Sequence, residues 1–461
     1  MFLKSLNIFS LQNKDIFSNS LLISFLGLLI IFFLLIFGRK FKLAVQLERF
    51  GLPIAVISGI IGISIGPFGA IHFLPKETIN VWSNFPTPLL SLVFATLMMG
   101  RPIPNINGLV KPIFNQFLLA LALGYGQFFV GGLVVKYFLP PSMDVNPLMG
   151  CLIEVGFEGG HGAATIIGES FNKLGFQNGL DLGLAMATMG LLSSSILGSI
   201  FIFLGRTFGL SDKEEILEQK ENLKEKKIEI LADLRIFIIN LGFSGLAISF
   251  GVLLLKYLRY ISSSFGDFSR EIIFSLPVFP FILIGSLFIR YILEKTKNTE
   301  FISNILQREI GILSTDLLIF TAMASLDIAV VFDNWILILV FTIFGLFWNL
   351  ICIAYFAYFI FDDYWFEKSL IEFGNSTGVV ASGLLLLRLA DPKNISKTLP
   401  IFTSKQLFAQ LILSGGLFTV LAPLMISKIG LDYWTEICAL ITFAILFIAL
   451  IFNKVEMKKF Q

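Results

Sequence analysis

Apolar runs bounded by charges or prolines follow one another along almost the whole chain. A helix needs about 20 mostly apolar residues to cross the hydrocarbon of a bilayer. Uncharged runs of that order occupy residues 21–37, 52–74, 79–100, 113–135, 182–205, 236–255, 272–289, 335–361, 406–427 and 437–452, and an eleventh at 310–329 carries Asp316 and Asp327. The runs are apolar on every face, so they predict spanning helices and not the alternating strands of a membrane β-barrel. Two further regions, 147–172 and 366–388, are apolar but interrupted by glycine, serine, threonine and acidic residues. They read as re-entrant hairpins that return to the side from which they came.

Composition narrows the class. Of 461 residues 56% are hydrophobic, 51 are phenylalanine and only 14% are charged, against about 25% charged in an average soluble chain. That excludes a cytosolic enzyme, a disulfide-built secreted domain and a disordered chain, and leaves an all-α, multi-pass membrane protein. The net charge of +2 points to no nucleic-acid partner. Cys151, Cys352 and Cys438 are scattered in apolar runs, without metal-ligand or disulfide spacing, and read as packing residues. The first run is followed by Gly38-Arg39-Lys40 and not by a small-residue cleavage site, so it reads as a retained span.

Eleven crossings, with the N-terminus outside and the C-terminus in the cytoplasm, put about 25 of the 34 basic residues on the inner side, Arg290, Lys368 and Lys405 among them. The mixed-charge stretch 211–233 then reads as a cytoplasmic linker between two halves.

The two interrupted regions are related. Leu152-Ile153-Glu154-Val155-Gly156 recurs as Leu370-Ile371-Glu372-Phe373-Gly374, and the same offset of 218 pairs Gly160 with Gly378 and Ala163 with Ala381. Each half carries five spans, an odd number, so the second copy must be upside down relative to the first. The expected architecture is two inverted-topology repeats, 1–210 with hairpin 147–172 and 234–430 with hairpin 366–388, each of five spans and one hairpin. The linker 211–233 joins them, and an extra span with its tail follows at 431–461. Secondary transporters use this plan, binding substrate and ions near the midplane where discontinuous helices meet.

The hairpins hold the chemistry such a site needs. Glycines permit non-helical turns, freed carbonyls can ligate sodium, and half-helix N-termini attract carboxylates. Glu158, Gly159, Gly160, His161, Gly162 and Thr165 supply these features in the first hairpin, and Asn375, Ser376, Thr377, Gly378 and Ser382 in the second. The alternative is helix packing through small residues. Thr96, Gln127, Glu154, Asp316, Asn349 and Glu372 are supporting or ion-binding candidates: Gln127 and Asn349 as interhelical hydrogen bonds, Asp316 as an intramembrane acid. Glu154 and Glu372, at matching hairpin positions, either anchor the hairpins or bind an ion. His161, a lone histidine, makes neither a transition-metal site nor a catalytic dyad.

Phe94-Ala95-Thr96, Pro147-Leu148-Met149-Gly150, Gly159-Gly160-His161-Gly162 and Ala187-Thr188-Met189-Gly190-Leu191 follow in the order and spacing of the bacterial glutamate:sodium symporter family, which the chain resembles over roughly residues 16–430. The resemblance implies two inverted halves with re-entrant hairpins, a multi-pass location in the bacterial inner membrane and sodium-coupled uptake of glutamate. It implies that 159–165 and 374–382 line the site. Glu158 stands where a small hydroxylated residue is usual, and Asn375-Ser376-Thr377-Gly378-Val379-Val380 replaces an Ala-Thr-Pro-Thr type of ending. An added carboxylate would repel an anionic substrate unless a cation neutralises it.

The expectation is therefore a sodium-driven symporter of glutamate or a related small carboxylate, with sodium as coupling ion and no other cofactor. Its partners are the substrate, sodium and the lipid bilayer, with a homodimer as a candidate assembly. A sodium- or proton-coupled carrier of another organic acid or amino acid, and a channel, are the rivals. No enzyme motif such as H-E-x-x-H or a nucleophile elbow occurs.

Overall fold

The computed structural model describes residues 29–38, 54–66, 81–100, 108–139, 145–210, 234–262, 278–391 and 395–457, with a few isolated positions beside them. The linker 211–233, the extreme N-terminus and the tail after Met457 lie outside the described residues, as do parts of the expected spans 21–37, 52–74, 79–100 and 272–289.

The described residues are helical throughout. In chain order the helices are α1 (Leu29–Gly38), α2 (Ile54–Ile65), α3 (Pro86–Met99), α4 (Val110–Leu133), α5 (Leu152–Gly156), α6 (Gly160–Lys173), α7 (Gly179–Thr207), α8 (Leu234–Ile261), α9 (Phe279–Lys295), α10 (Asn304–Ala324), α11 (Ile328–Asp333), α12 (Trp335–Ile351), α13 (Ala357–Ile360), α14 (Trp365–Ala390), α15 (Thr398–Ile412), α16 (Leu417–Ile429) and α17 (Leu431–Met457). Lipid offers the backbone no hydrogen-bond partner, which is why such apolar runs settle into helices. Phe203, Tyr260 and Leu440 are 70%, 78% and 71% exposed, as expected of side chains whose solvent is acyl chain.

Among the described residues seven helices are long and apolar enough to cross a membrane, fewer than the eleven crossings expected. One of the seven, Trp365–Ala390, is the region expected as the second hairpin, so five expected spans are not among them: α1 and α2 are short in their described extent, α3 and α9 have 14 and 17 residues, and α10, although 21 residues long, carries Arg308, Glu309 and Asp316.

Three interruptions shape the site. The first separates α5 from α6 at residues 157–159, and Gly160 opens α6 with φ of +65°. The second lies inside α14, where Gly378 (φ −146°) and Val379 (φ +67°) leave helical geometry. There the chain folds back: a Cβ built on Gly374 would lie 2.5 Å from Gly383 Cα, and one on Gly383 2.4 Å from Ile371 O. In a straight helix residues nine apart stand about 13.5 Å from each other, so the arms 365–377 and 380–390 pack side by side through these glycines. The third lies inside the expected span 406–427: the stretch Thr398–Ile429 is long and apolar enough to cross a membrane, but within it the chain breaks at 413–416 between α15 and α16, with Ser414 and Gly415 at φ of +58° and +85°. The Ser-Gly-Gly sequence there permits the left-handed backbone that ends α15.

A second correction concerns charge. Arg290, Lys368 and Lys405 are buried within helices and paired with Glu294, Asp363 and Glu372 respectively, so they are not solvated loop charges and do not report orientation.

Elements recur at a fixed spacing. α3 begins at 86 and α10 at 304, and one-turn π-helical stretches occupy Val134–Phe138 and Cys352–Phe356. The 3-10 turn before α5 begins at 147 and α14 at 365, each pair 218 residues apart. The helices pack as two groups: one hydrophobic cluster draws on α4 to α7, α12 and α15 to α17, another mainly on α2, α3, α8, α9 and α10. α17 is integral to the first group. Trp434 stacks on Phe418 at 4.8 Å and meets Phe128 edge-on at 5.8 Å.

Candidate functional site

Between the two groups lies a cavity of about 280 Å³. α3 and α10 form one wall with Leu90, Phe94, Thr96, Thr315 and Asp316, and the three helix interruptions form the other. Glu158, Gly159, His161 and Gly162 come from the first, Val379, Val380 and Ala381 from the second, and Ser414 and Gly415 from the third, with Gln410 one turn earlier on α15. Exposed Arg308 and the end of α3 at Gly100 border it as well.

The interruptions touch. A Cβ on Gly160 would lie 2.3 Å from Val379 Cγ1, and one on Gly415 3.4 Å from Ala163 Cβ. Only a hydrogen fits at Gly160, and its φ of +65° favours glycine as well.

The expected site residues divide into two sets. Glu158, Gly159, His161, Gly162, Thr96 and Asp316 line the cavity. His161 Nε2 meets Thr188 Oγ1 at 3.2 Å, while Thr96 Oγ1 donates back to Leu92 O at 2.9 Å. Thr165 lies beyond the lining and donates to His161 O at 2.8 Å. The second-hairpin residues Asn375, Ser376, Thr377, Gly378 and Ser382 are buried behind the cavity and do not line it. The physical reason is the fold-back itself, which spends their polar groups on holding α14 in place. Gln127 Nε2 donates to Ser376 O at 2.7 Å and to Asn349 Oδ1 at 3.0 Å, and Asn349 Nδ2 donates to Thr377 Oγ1 at 2.9 Å. Gln406 Nε2 donates to Asn375 Oδ1 at 3.0 Å, and Ser382 Oγ to Gly378 O at 2.5 Å. Gln127 and Asn349 thus satisfy the carbonyl end of the first arm, the interhelical role expected of them.

The matching glutamates have different fates. Glu372 Oε2 accepts from Lys405 Nζ at 2.8 Å, both side chains fully buried. Glu154 Oε1 instead accepts from Thr419 Oγ1 at 2.6 Å and from Ser414 N at 3.2 Å. Ser414 also donates through Oγ to Glu158 Oε1 at 3.2 Å, so one residue of the third interruption bridges two buried carboxylates. Sequence reasoning missed Ser414, Gln410, Thr419 and Lys405. The signal for the first was Ser-Gly-Gly at 414–416 inside an apolar run; the others carried none.

A family model for sodium/glutamate symporters matches residues 22–364. The chain belongs to the sodium/glutamate symporter family. The matched region holds the first helix interruption and the α3 and α10 wall, and it ends just before α14. It is narrower than the 16–430 of the sequence resemblance, and the departures noted in the second hairpin lie beyond it. A comparison with curated proteins finds none that matches. Among solved structures the chain is similar to the sodium proton antiporter of Methanocaldococcus jannaschii at pH 8, at 15% identity, covering 92% of this chain and 99% of that one, with a TM-score of 0.37. The family makes the chain a transporter with sodium as its coupling ion, and its long apolar helices make it a multi-pass membrane protein.

Proposed function

We infer that this symporter imports glutamate or a related small amino-bearing carboxylate into the cell by alternating access, and that it is built as two inverted repeats, each of five spans and a re-entrant hairpin. The observation that carries the substrate class is the convergence of three helix starts on one cavity. His161, Gly162 and Ala163 begin α6, Val380 and Ala381 begin the second arm of α14, and Gly415 precedes α16. Each N-terminus carries about half a positive charge, and together they suit a carboxylate at membrane depth. Glu158 and Asp316 on the same walls favour a substrate that also bears an ammonium group over a dicarboxylate without one.

The fixed spacing of 218 between elements supports the repeat. A cavity between two separately packed helix groups supports alternating access, since one group can move against the other around the site. Coupling supplies the driving force: each net positive charge entering is worth about 2.3 kcal/mol per 100 mV. The test is uptake into proteoliposomes of labelled amino acids and dicarboxylates under an imposed sodium gradient. Concentrative, sodium-dependent accumulation of glutamate or a close relative is expected. Downhill flux only, indifferent to sodium, would mean a channel.

A further inference from the structure

The two glutamates at matching positions of the hairpins are both fully buried, yet among the described residues only one is paired with a cationic side chain. The ammonium of Lys405 neutralises Glu372 from within the chain. Glu154 has a hydroxyl and a backbone N–H, and beside it Glu158, which the second hairpin replaces with Ser376, has only the hydroxyl of Ser414. Each of the two leaves its Oε2 without a partner in a buried environment. Glu158 also lies within the electrostatic reach of Glu154, Lys405 and Glu372. Counting these four groups as ionised gives three negative charges against one positive. Two carboxylates bridged by one serine, away from water, are costly unless a cation joins them.

A separate observation points to the same place. Gln410, 9% exposed on the cavity wall shared with Glu158, has an amide oxygen with no partner. An unpartnered amide oxygen on that wall is suited to ligate a hard monovalent cation and not a carboxylate. No cluster of three or more histidine, cysteine, aspartate or glutamate side chains fit to hold a metal occurs among the described residues. The set therefore has two carboxylates and otherwise neutral oxygens, and sodium is the ion that the family couples to.

We propose that Glu154, Glu158 and Ser414, with Thr419 and Gln410 beside them, form one sodium site of this protein, and that Lys405 takes the cation's place at the equivalent position beside Glu372. The proposal rests on the reading of the chain as a sodium-coupled symporter and adds where the ion sits and why the two halves differ. Each carboxylate contributes its unpartnered oxygen, Ser414 holds them together, and the left-handed backbone at Ser414 and Gly415 keeps that residue between them.

The experiment is equilibrium binding of radiolabelled sodium to the purified full-length protein in detergent, without substrate, with choline holding ionic strength constant. Saturable binding is expected for the natural chain. Glu158→Gln should raise the half-saturating concentration by about tenfold or more, and Ser414→Ala should raise it by a smaller factor. Glu154 also anchors Thr419 and Ser414, so its glutamine variant could lose the fold, and Glu158→Asp, which keeps the charge but withdraws the oxygens, stands in for it with weakened binding. Undiminished sodium affinity in the Glu158 and Ser414 variants would overturn the site, and sodium-driven uptake by those same variants would leave the symport reading intact. A saturable site lost in Glu158→Gln, in a protein that accumulates nothing on a sodium gradient, would uphold the site and sink the symport reading. No saturable sodium binding by the natural chain would overturn the proposal outright.

Discussion

Removing the ammonium of Lys405 isolates what the buried pair contributes. Its Nζ lies 2.8 Å from Glu372 Oε2 and 4.9 Å from the centroid of the Phe402 ring, over which it sits, and both side chains of the pair are fully buried. Lys405→Met keeps most of the packing volume and deletes the charge, leaving a carboxylate with no cation in a dry environment. Breaking one side of such a pair costs about 3–5 kcal/mol. Replacing both sides is far milder, so Lys405→Met combined with Glu372→Gln should return to within about 1–2 kcal/mol of the natural chain. The assay is reversible unfolding in mixed detergent micelles, followed by tryptophan fluorescence for the natural chain, both single variants and the double variant. A coupling energy of about 3 kcal/mol is expected. Additivity within about 0.5 kcal/mol would show that the two groups do not depend on each other, and the contrast between Glu372 and Glu154 would lose its basis.

Three further outcomes follow from the geometry. Gly160→Ala places a Cβ 2.3 Å from Val379 Cγ1 on a left-handed backbone and should abolish sodium-driven uptake, whereas Gly242→Ala, with nothing within 4 Å, should transport normally; equal rates would mean that the first two interruptions do not touch. Asn349→Leu strips Thr377 of its donor and leaves Gln127 without its Oδ1 partner, so it should destabilise the protein by about 1–3 kcal/mol in the same unfolding assay, with an unchanged midpoint counting against the network. Cysteines placed at Ala163 and Ala381, both on the cavity wall, should be joined by a short bifunctional thiol reagent, and substrate should slow the reaction; absence of the joined product would separate the hairpins.

The membrane class and the longest apolar helices were readable because lipid demands long apolar runs, a constraint written in composition itself. The helix interruptions at 157–159 and 378–379 fall in regions that stood out because glycines and acids inside apolar runs are costly and therefore mark structure. Gly374 shows the limit of such reading: its repeat partner Gly156 was visible, but its close packing on Gly383 depends on a fold-back that no local pattern specifies. Polar residues of the second hairpin looked like ligands because Asn, Ser and Thr serve equally as ligands and as internal hydrogen-bond partners. Only the positions of Gln127, Asn349 and Gln406, brought in from other helices, decide between the two roles. Lys405 was misjudged because a lysine beside an apolar run usually marks a membrane boundary. Its partner Glu372 lies 33 residues away and is brought to it by the packing of α14 against α15.

The charge distribution also dictates an order of events. If the cavity takes the proposed amino-bearing carboxylate, that substrate meets three helix starts that attract its carboxylate and Glu158 and Asp316, which repel it. With the site at Glu154 and Glu158 empty the repulsion is unscreened at membrane depth, and with a cation held there much of it is cancelled. Sodium should therefore bind first, and substrate affinity should depend on sodium. By linkage, the factor by which sodium tightens substrate must equal the factor by which substrate tightens sodium, and a typical coupling of 1–3 kcal/mol corresponds to about 5- to 150-fold. Equilibrium binding of labelled glutamate to the purified protein across a sodium titration measures that factor directly. In Glu158→Gln one repelling charge is gone, so the factor should shrink while glutamate still binds, weakly dependent on sodium. Substrate affinity that ignores sodium in the natural chain would show that the carboxylates and the substrate do not share one electrostatic environment, and the assignment of Glu158 to the ion would fall with it.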